Sequence, residues 1–129
     1  MNRISFFDTT LRDGELSSDF RPSGAERLRI ARALEDAGVD VIELASTAAD
    51  DERFANSKQI AGSLRRSTVC CIAPLGAADL ERACRFLGGL PRARIHLYLD
   101  ARGIRALETD ANLREQTEFR PRRGRTRVH

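Results

Sequence analysis

Apolar and polar positions along the chain change period in a regular way. The run "ISFF", Ile4 to Phe7, is continuously apolar after its serine and reads as a first strand. After a long polar loop, "SGAERLRIARALEDAG" sets Leu28, Ile30, Ala31 and Leu34 at helical spacing, with Ser23 and Glu26 spaced as a capping box and Gly38 as a stop. "VDVIEL" predicts a second strand, and "DDERFANSKQIAGSLRR" a second helix opened by Asp50 or Asp51. "TVCCIA" predicts a third strand. Beyond Pro74 and Gly76, "ADLERACRFLGG" places Leu80, Ala83, Cys84 and Leu87 on one helical face ahead of a glycine stop. "ARIHLYL" predicts a fourth strand.

Strand and helix alternate, so the strands are expected to be parallel and joined by right-handed crossovers. That leaves a doubly wound sheet or a (β/α)₈ TIM barrel. A dinucleotide-binding sheet needs a glycine-rich turn after its first strand, whereas "DTTLRDGE" holds one glycine and four charged residues. In a barrel, charged residues just past the C-terminal ends of strands line the active-site face, which is where Asp8 to Glu15 and Glu43 fall. A complete barrel takes about 250 residues. The fold expected here is α/β, the N-terminal half of a (β/α)₈ barrel, with about four parallel strands and flanking helices.

A length of 129 residues suits one domain with a real core and is too short for two. Hydrophobic residues are 41% and charged residues 32%, the balance of a folded, soluble body rather than a disordered one. The apolar run at the N-terminus is too short for a signal-peptide core or a membrane span, so a cytoplasmic location without membrane partners is expected. Net charge is +3, but Arg120, Arg122, Arg123, Arg125 and Arg127 crowd the last ten residues, and removing those five charges leaves −2. A nucleic-acid partner therefore has only this tail to recommend it, and is not expected. Residues 1–117 read as the partial barrel domain and 118–129 as a basic, disordered tail. The abrupt change of composition after "TDANLREQT" points to a truncated or frame-shifted coding sequence.

Cys70, Cys71 and Cys84 form no C-x-x-C pair and leave an odd count, so small buried thiols are expected, with no zinc knuckle or disulfide framework. Neighbouring Cys70 and Cys71 point to opposite faces of their strand, and nothing nearby activates either as a nucleophile. From charge pattern alone, Arg12 beside Asp13 reads as a loop ion pair, Glu43 as a solvated strand end and Asp8 as a turn or capping residue.

The run "FDTTLRDGE", followed by the "ARALEDAGVDVIE" helix and strand, resembles the pyruvate carboxyltransferase or HMGL-like family of metal-dependent barrels. Its members include 2-isopropylmalate synthase, homocitrate synthase, hydroxymethylglutaryl-CoA lyase and hydroxy-oxovalerate aldolase, and the likeness is greatest to the first two. It covers about the first hundred residues. The resemblance implies that Asp13 is a divalent-metal ligand for Mg²⁺, Mn²⁺ or Zn²⁺. It implies that Arg12 stabilises a developing oxyanion, that Glu43 orients Arg12, and that Gly14 permits close backbone approach. His96 takes the place of a strand histidine that binds substrate in family members, although a lone histidine in an apolar strand is commonly a hydrogen-bonded core residue. Asp8 keeps its structural reading.

The implied reaction is a Claisen-type condensation of acetyl-CoA, as co-substrate, with a 2-oxo acid, as in leucine-type amino-acid biosynthesis. The alternatives are a lyase or aldolase of the same superfamily, hydroxymethylglutaryl-CoA lyase-like, and a non-catalytic half barrel that needs a partner chain. The sequence also departs from the synthase pattern. Leu16 stands where glutamine is usual, Leu44, Ala45 and Ser46 replace a small-residue run with proline, and His96 and His129 form no histidine-x-histidine pair to complete a metal site. A homo-oligomer or a partner chain is the expected assembly.

Overall fold

In a computed structural model, which describes residues 3–16, 19–99, 101 and 105, four parallel strands form one sheet. The chain runs β1 (Phe7–Asp8), the single turn α1 (Thr10–Asp13), a 3₁₀ turn (Gly14–Leu16), α2 (Gly24–Asp36), β2 (Val41–Ser46), α3 (Asp51–Ser63), β3 (Thr68–Pro74), α4 (Ala77–Leu87) and β4 (Ala93–Tyr98). The segment "TDANLREQT" and the basic tail lie outside the described residues. Among the described residues no helix is long and apolar enough to cross a membrane.

Local sequence explains most of these boundaries. Ser23 caps α2, its hydroxyl accepting from the Glu26 N–H while the Glu26 carboxylate takes the Ser23 N–H at 2.8 Å. Asp50 caps α3 by accepting from the Arg53 N–H at 2.9 Å. Past α2 the chain turns through Gly38 at φ +87°, a left-handed conformation that suits a residue without Cβ.

The sheet runs β1-β2-β3-β4 in chain order. A doubly wound sheet reverses its strand order at a switch point. This one does not. Its core lies on one face, where Ile42 and Leu44 of β2 and Val69, Cys71 and Ala73 of β3 meet Ala31, Ile60, Ala61, Ala83, Phe86 and Leu87 of the helices. Neighbouring strands stand about 4.8 Å apart, so β1 and β4 would be separated by roughly 14 Å in a flat sheet. Yet the rings of Phe7 and His96, on those two strands, meet edge to face with centroids 5.9 Å apart. The sheet is curled with its second face inside the curve, the architecture of the N-terminal half of a (β/α)₈ barrel.

Two expectations need correction. The first strand is Phe7–Asp8 rather than Ile4 to Phe7, and Ile4 and Phe6 are 77% and 63% exposed. Pairing with β2 begins only at Phe7 opposite Val41, and the Phe6 N–H is taken by the Asp40 carboxylate at 2.9 Å. Cys84 is exposed instead of buried. It stands about 100° around α4 from Ala83, and the face that meets β3 is made by Ala83, Phe86 and Leu87.

Candidate functional site

The loop after β1 is built from short-range contacts. The Asp8 carboxylate accepts the Thr10 N–H at 2.9 Å and the Thr10 hydroxyl at 3.0 Å, a turn role. The Thr9 carbonyl accepts the N–H groups of Arg12 and Asp13 at 3.0 and 2.7 Å, closing α1. Leu11, fully buried, pins this turn to the core. Its neighbours Arg12 and Asp13 form an ion pair with each other. The Thr9 hydroxyl holds the Asp13 carboxyl below its usual range; slight burial opposes this, and the charges of Arg12 and His96 reinforce it. Gly14 does permit a close approach, but by an aromatic ring: a Cβ there would stand 3.2 Å from Phe20 Cδ1.

On the inner face, Glu43 of β2 is only 1% exposed. A carboxylate removed from water needs a partner, and His96 of β4 supplies one, its Nδ1 lying 3.1 Å from Glu43 Oε1. The Cys70 thiol approaches the same oxygen at 4.0 Å. The His96 side chain is 48% exposed, so its ring joins a buried acid to solvent. Both buried thiols are inert: burial first, and then the Glu43 charge, push Cys70 and Cys71 up to about 12 each.

The expected pairing of Glu43 with Arg12 is not what these contacts describe. Glu43 is held by His96 and Cys70, and Arg12 by Asp13. The physical reason is position. Arg12 lines a cavity of about 210 Å³ with Leu16, Ser46, Ala48 and Arg27, between the end of β2 and the helices, whereas Glu43 faces the inside of the curve. Arg12 and Asp13 thus form one pair in the turn after β1, and Glu43 and His96 form another across β3, with His96 acting on Asp13 through its charge.

A divalent cation requires several oxygen or imidazole donors. Among the described residues no three of His, Cys, Asp or Glu come together in that way. Asp13 supplies one anionic donor, and the described residues do not complete a site around it.

Two features escaped sequence reasoning, the Glu43–His96 contact and the burial of Arg27 in α2 at 4% exposure. The available signal for the first was the acid Glu43 within the apolar run "VIEL", since a buried carboxylate must find a partner.

The HMGL-like family pattern matches residues 3–117 of the chain. A 2-isopropylmalate synthase of Rhodopirellula baltica is 42% identical over 102 residues, covering 79% of this chain and 19% of that protein. One from Aromatoleum aromaticum is 45% identical over 98 residues, 76% of this chain and 19% of its own. One from Acidovorax ebreus is 39% identical over 117 residues, 91% of this chain and 22% of its own. The chain thus spans about a fifth of the length of the curated relatives it matches.

Proposed function

Because the chain belongs to the HMGL-like family, we propose that it supplies the first half of the active-site barrel of a 2-isopropylmalate-synthase-type acyltransferase, a cytoplasmic enzyme of leucine-type amino-acid biosynthesis. In this reaction the methyl group of acetyl-CoA gives up a proton, and the enolate carbon bonds to the carbonyl carbon of a 2-oxo acid. The carbonyl oxygen takes the displaced electron pair as an alkoxide, which then takes up a proton to become the hydroxyl of the product. Water then cleaves the thioester, releasing the carboxylate product and the free thiol of CoA.

The chain's own residues suit parts of this chemistry. Arg12 is a permanently charged planar donor at the end of β1, suited to the alkoxide as it develops. Glu43 holds the His96 ring through Nδ1, which leaves Nε2 as the atom available to substrate. Asp13 would be one ligand of a divalent metal held in the intact protein, and that metal would supply polarisation of the 2-oxo carbonyl. What supports the reading most is the "LRDG" turn standing directly after β1 in a chain that matches synthases along most of its length, together with the Glu43–His96 pair.

The test is to supply the C-terminal half barrel of a relative as a second polypeptide, add acetyl-CoA and 2-oxoisovalerate, and follow free thiol. Thiol release that requires both polypeptides supports the synthase. Cleavage of an acyl-CoA or hydroxy acid without condensation would favour the lyase or aldolase alternative.

A second reading is a non-catalytic half barrel that docks on a partner chain or a second copy. Exposed Ile4, Phe6, Leu97, Tyr98 and Leu99 at the sheet's two ends favour it. Sedimentation of the isolated chain tests this, and a cooperatively melting monomer at every concentration would count against it.

A further inference from the structure

We infer that Arg27 and Ser57, on two helices behind the sheet, clamp the Leu44 carbonyl to hold a bulge in β2, and that this bulge aims Glu43 at His96. Both are positioning residues. Only their relevance to catalysis rests on the function proposed above.

The bulge is visible in the register. Glu43 lies opposite Cys70, but Ala45 lies opposite Cys71, so β2 spends two steps where β3 spends one and Leu44 has no partner in the ladder. In a regular strand Glu43 and Ala45 would share a face and Leu44 would oppose them. Here Leu44 and Ala45 both belong to the core cluster on the helix side, and Glu43 alone of the three turns inward.

An extra residue in a strand leaves backbone groups outside the ladder, and buried ones must be satisfied elsewhere. Leu44 is 1% exposed. Its carbonyl oxygen accepts from the Arg27 guanidinium at 3.1 Å and from the Ser57 hydroxyl at 2.9 Å. The guanidinium also reaches Ser57 Oγ at 3.0 Å and Asn56 Oδ1 at 3.4 Å. One cation from α2 and one hydroxyl from α3 thus meet at the single unpaired position of β2.

Packing alone does not call for this arrangement. An arginine buried on a core-facing helix position is a costly filler, and an apolar side chain of similar volume commonly serves stability as well or better. Arg27 is 4% exposed and Ser57 is 2% exposed. Their shared target is the residue immediately after Glu43. The length and angle of β2 at that point decide whether a carboxylate on β2 can cross β3 and reach a ring on β4.

The experiment reads the contact itself, in the full 129-residue chain. Ring ¹⁵N resonances of His96 are recorded by NMR in the wild type, with His129→Gln used to assign the two histidines. Glu43→Gln defines the displacement produced by losing the carboxylate. Ser57→Ala and Arg27→Lys are expected to move the His96 nitrogens through most of that displacement, and Ser57→Thr, which keeps the hydroxyl, to restore them. Ile60→Val, a core change on the same helix as Ser57, is expected to lower stability and leave the His96 signals in place. Unmoved His96 signals in folded Ser57→Ala would overturn the clamp, as would an equal displacement in Ile60→Val. If Arg27→Lys does not fold, the serine series decides alone. Because the readout is a hydrogen bond and not turnover, it is independent of the thiol-release assay that tests the function.

Discussion

His96 Nδ1 and Glu43 Oε1 lie 3.1 Å apart although they belong to β4 and β2, with β3 between them. In a flat sheet those strands would stand roughly 9.6 Å apart, so the contact exists because the sheet curls. It also lies on the face opposite the helix-packed core, the face that a barrel turns to its interior. Fold and site thus depend on each other: the curl brings the two residues together, and the buried acid needs the ring.

This pair is expected to be energetically coupled. In a double-mutant cycle with Glu43→Gln and His96→Asn, urea unfolding should give a coupling energy of about 0.5–3 kcal/mol, the range for groups in direct contact. Because Glu43 is 1% exposed, the coupling should change little between low and moderate salt. Additive single effects would mean that the two side chains do not interact in solution.

The three cysteines should separate cleanly by reactivity. Cys70 and Cys71 are fully buried and pushed to about 12, whereas Cys84 is exposed on α4. The thiolate is the reacting species, so a maleimide at neutral pH is expected to label Cys84 rapidly in the native chain. All three should react after denaturation. Cys84→Ser should abolish native labelling, measured by intact mass, and fast labelling of Cys70 would contradict its burial between Glu43 and the neighbouring strands.

Glu35 should carry a pH-dependent share of stability. Its carboxylate Oε1 accepts the backbone N–H groups of Arg65, Arg66 and Ser67 at 2.9, 2.7 and 2.9 Å, tying the end of α2 to the start of β3. Burial pushes this carboxyl up, but the three N–H donors outweigh it and hold it below its ordinary value of 4.5. A carboxyl lowered in the folded state contributes fully above its unfolded value and loses that contribution as pH falls through the folded value. Glu35→Gln is therefore expected to cost about 1–3 kcal/mol near neutral pH. The gap between mutant and wild type should shrink as pH drops below about 4. Urea midpoints across acidic pH measure both effects, and a gap independent of pH would show that charge plays no part.

The sequence makes the punctuation of this fold legible and its buried charges illegible. Ser23, Glu26, Asp50 and Gly38 act through neighbours one to three positions away, and the structure uses the capping box, the α3 cap and the Gly38 stop as their spacing predicts. Arg27 and Glu35 look like members of a solvated helix face because nothing local announces their partners, Leu44, Ser57 and Arg65 to Ser67. Those partners are brought in by crossovers and a bulge. The Glu43–His96 contact spans 53 positions and requires the curl, so the two residues could be picked out separately but not as a pair. Cys84 was misplaced for a simpler reason, since Phe86, not Cys84, fills the face that α4 turns to β3.

Arg12 offers the sharpest division between a surface ion pair and a functional group. Its partner Asp13 is 48% exposed, and an exposed pair of this kind contributes about 0–1 kcal/mol to stability. Arg12→Lys should therefore leave the melting of the isolated chain nearly unchanged. In the reconstituted barrel the outcome is expected to be different. Lysine keeps the charge but loses the planar set of donors, and the alkoxide exists only as the carbon–carbon bond forms. The loss should fall on kcat, by about 10²–10³-fold if Arg12 is an oxyanion donor, with little change in KM for the 2-oxo acid. Steady-state thiol release measures this directly. An unchanged kcat would return Arg12 to the role of a loop ion pair, whereas a raised KM at constant kcat would make it a ground-state anchor for the substrate carboxylate.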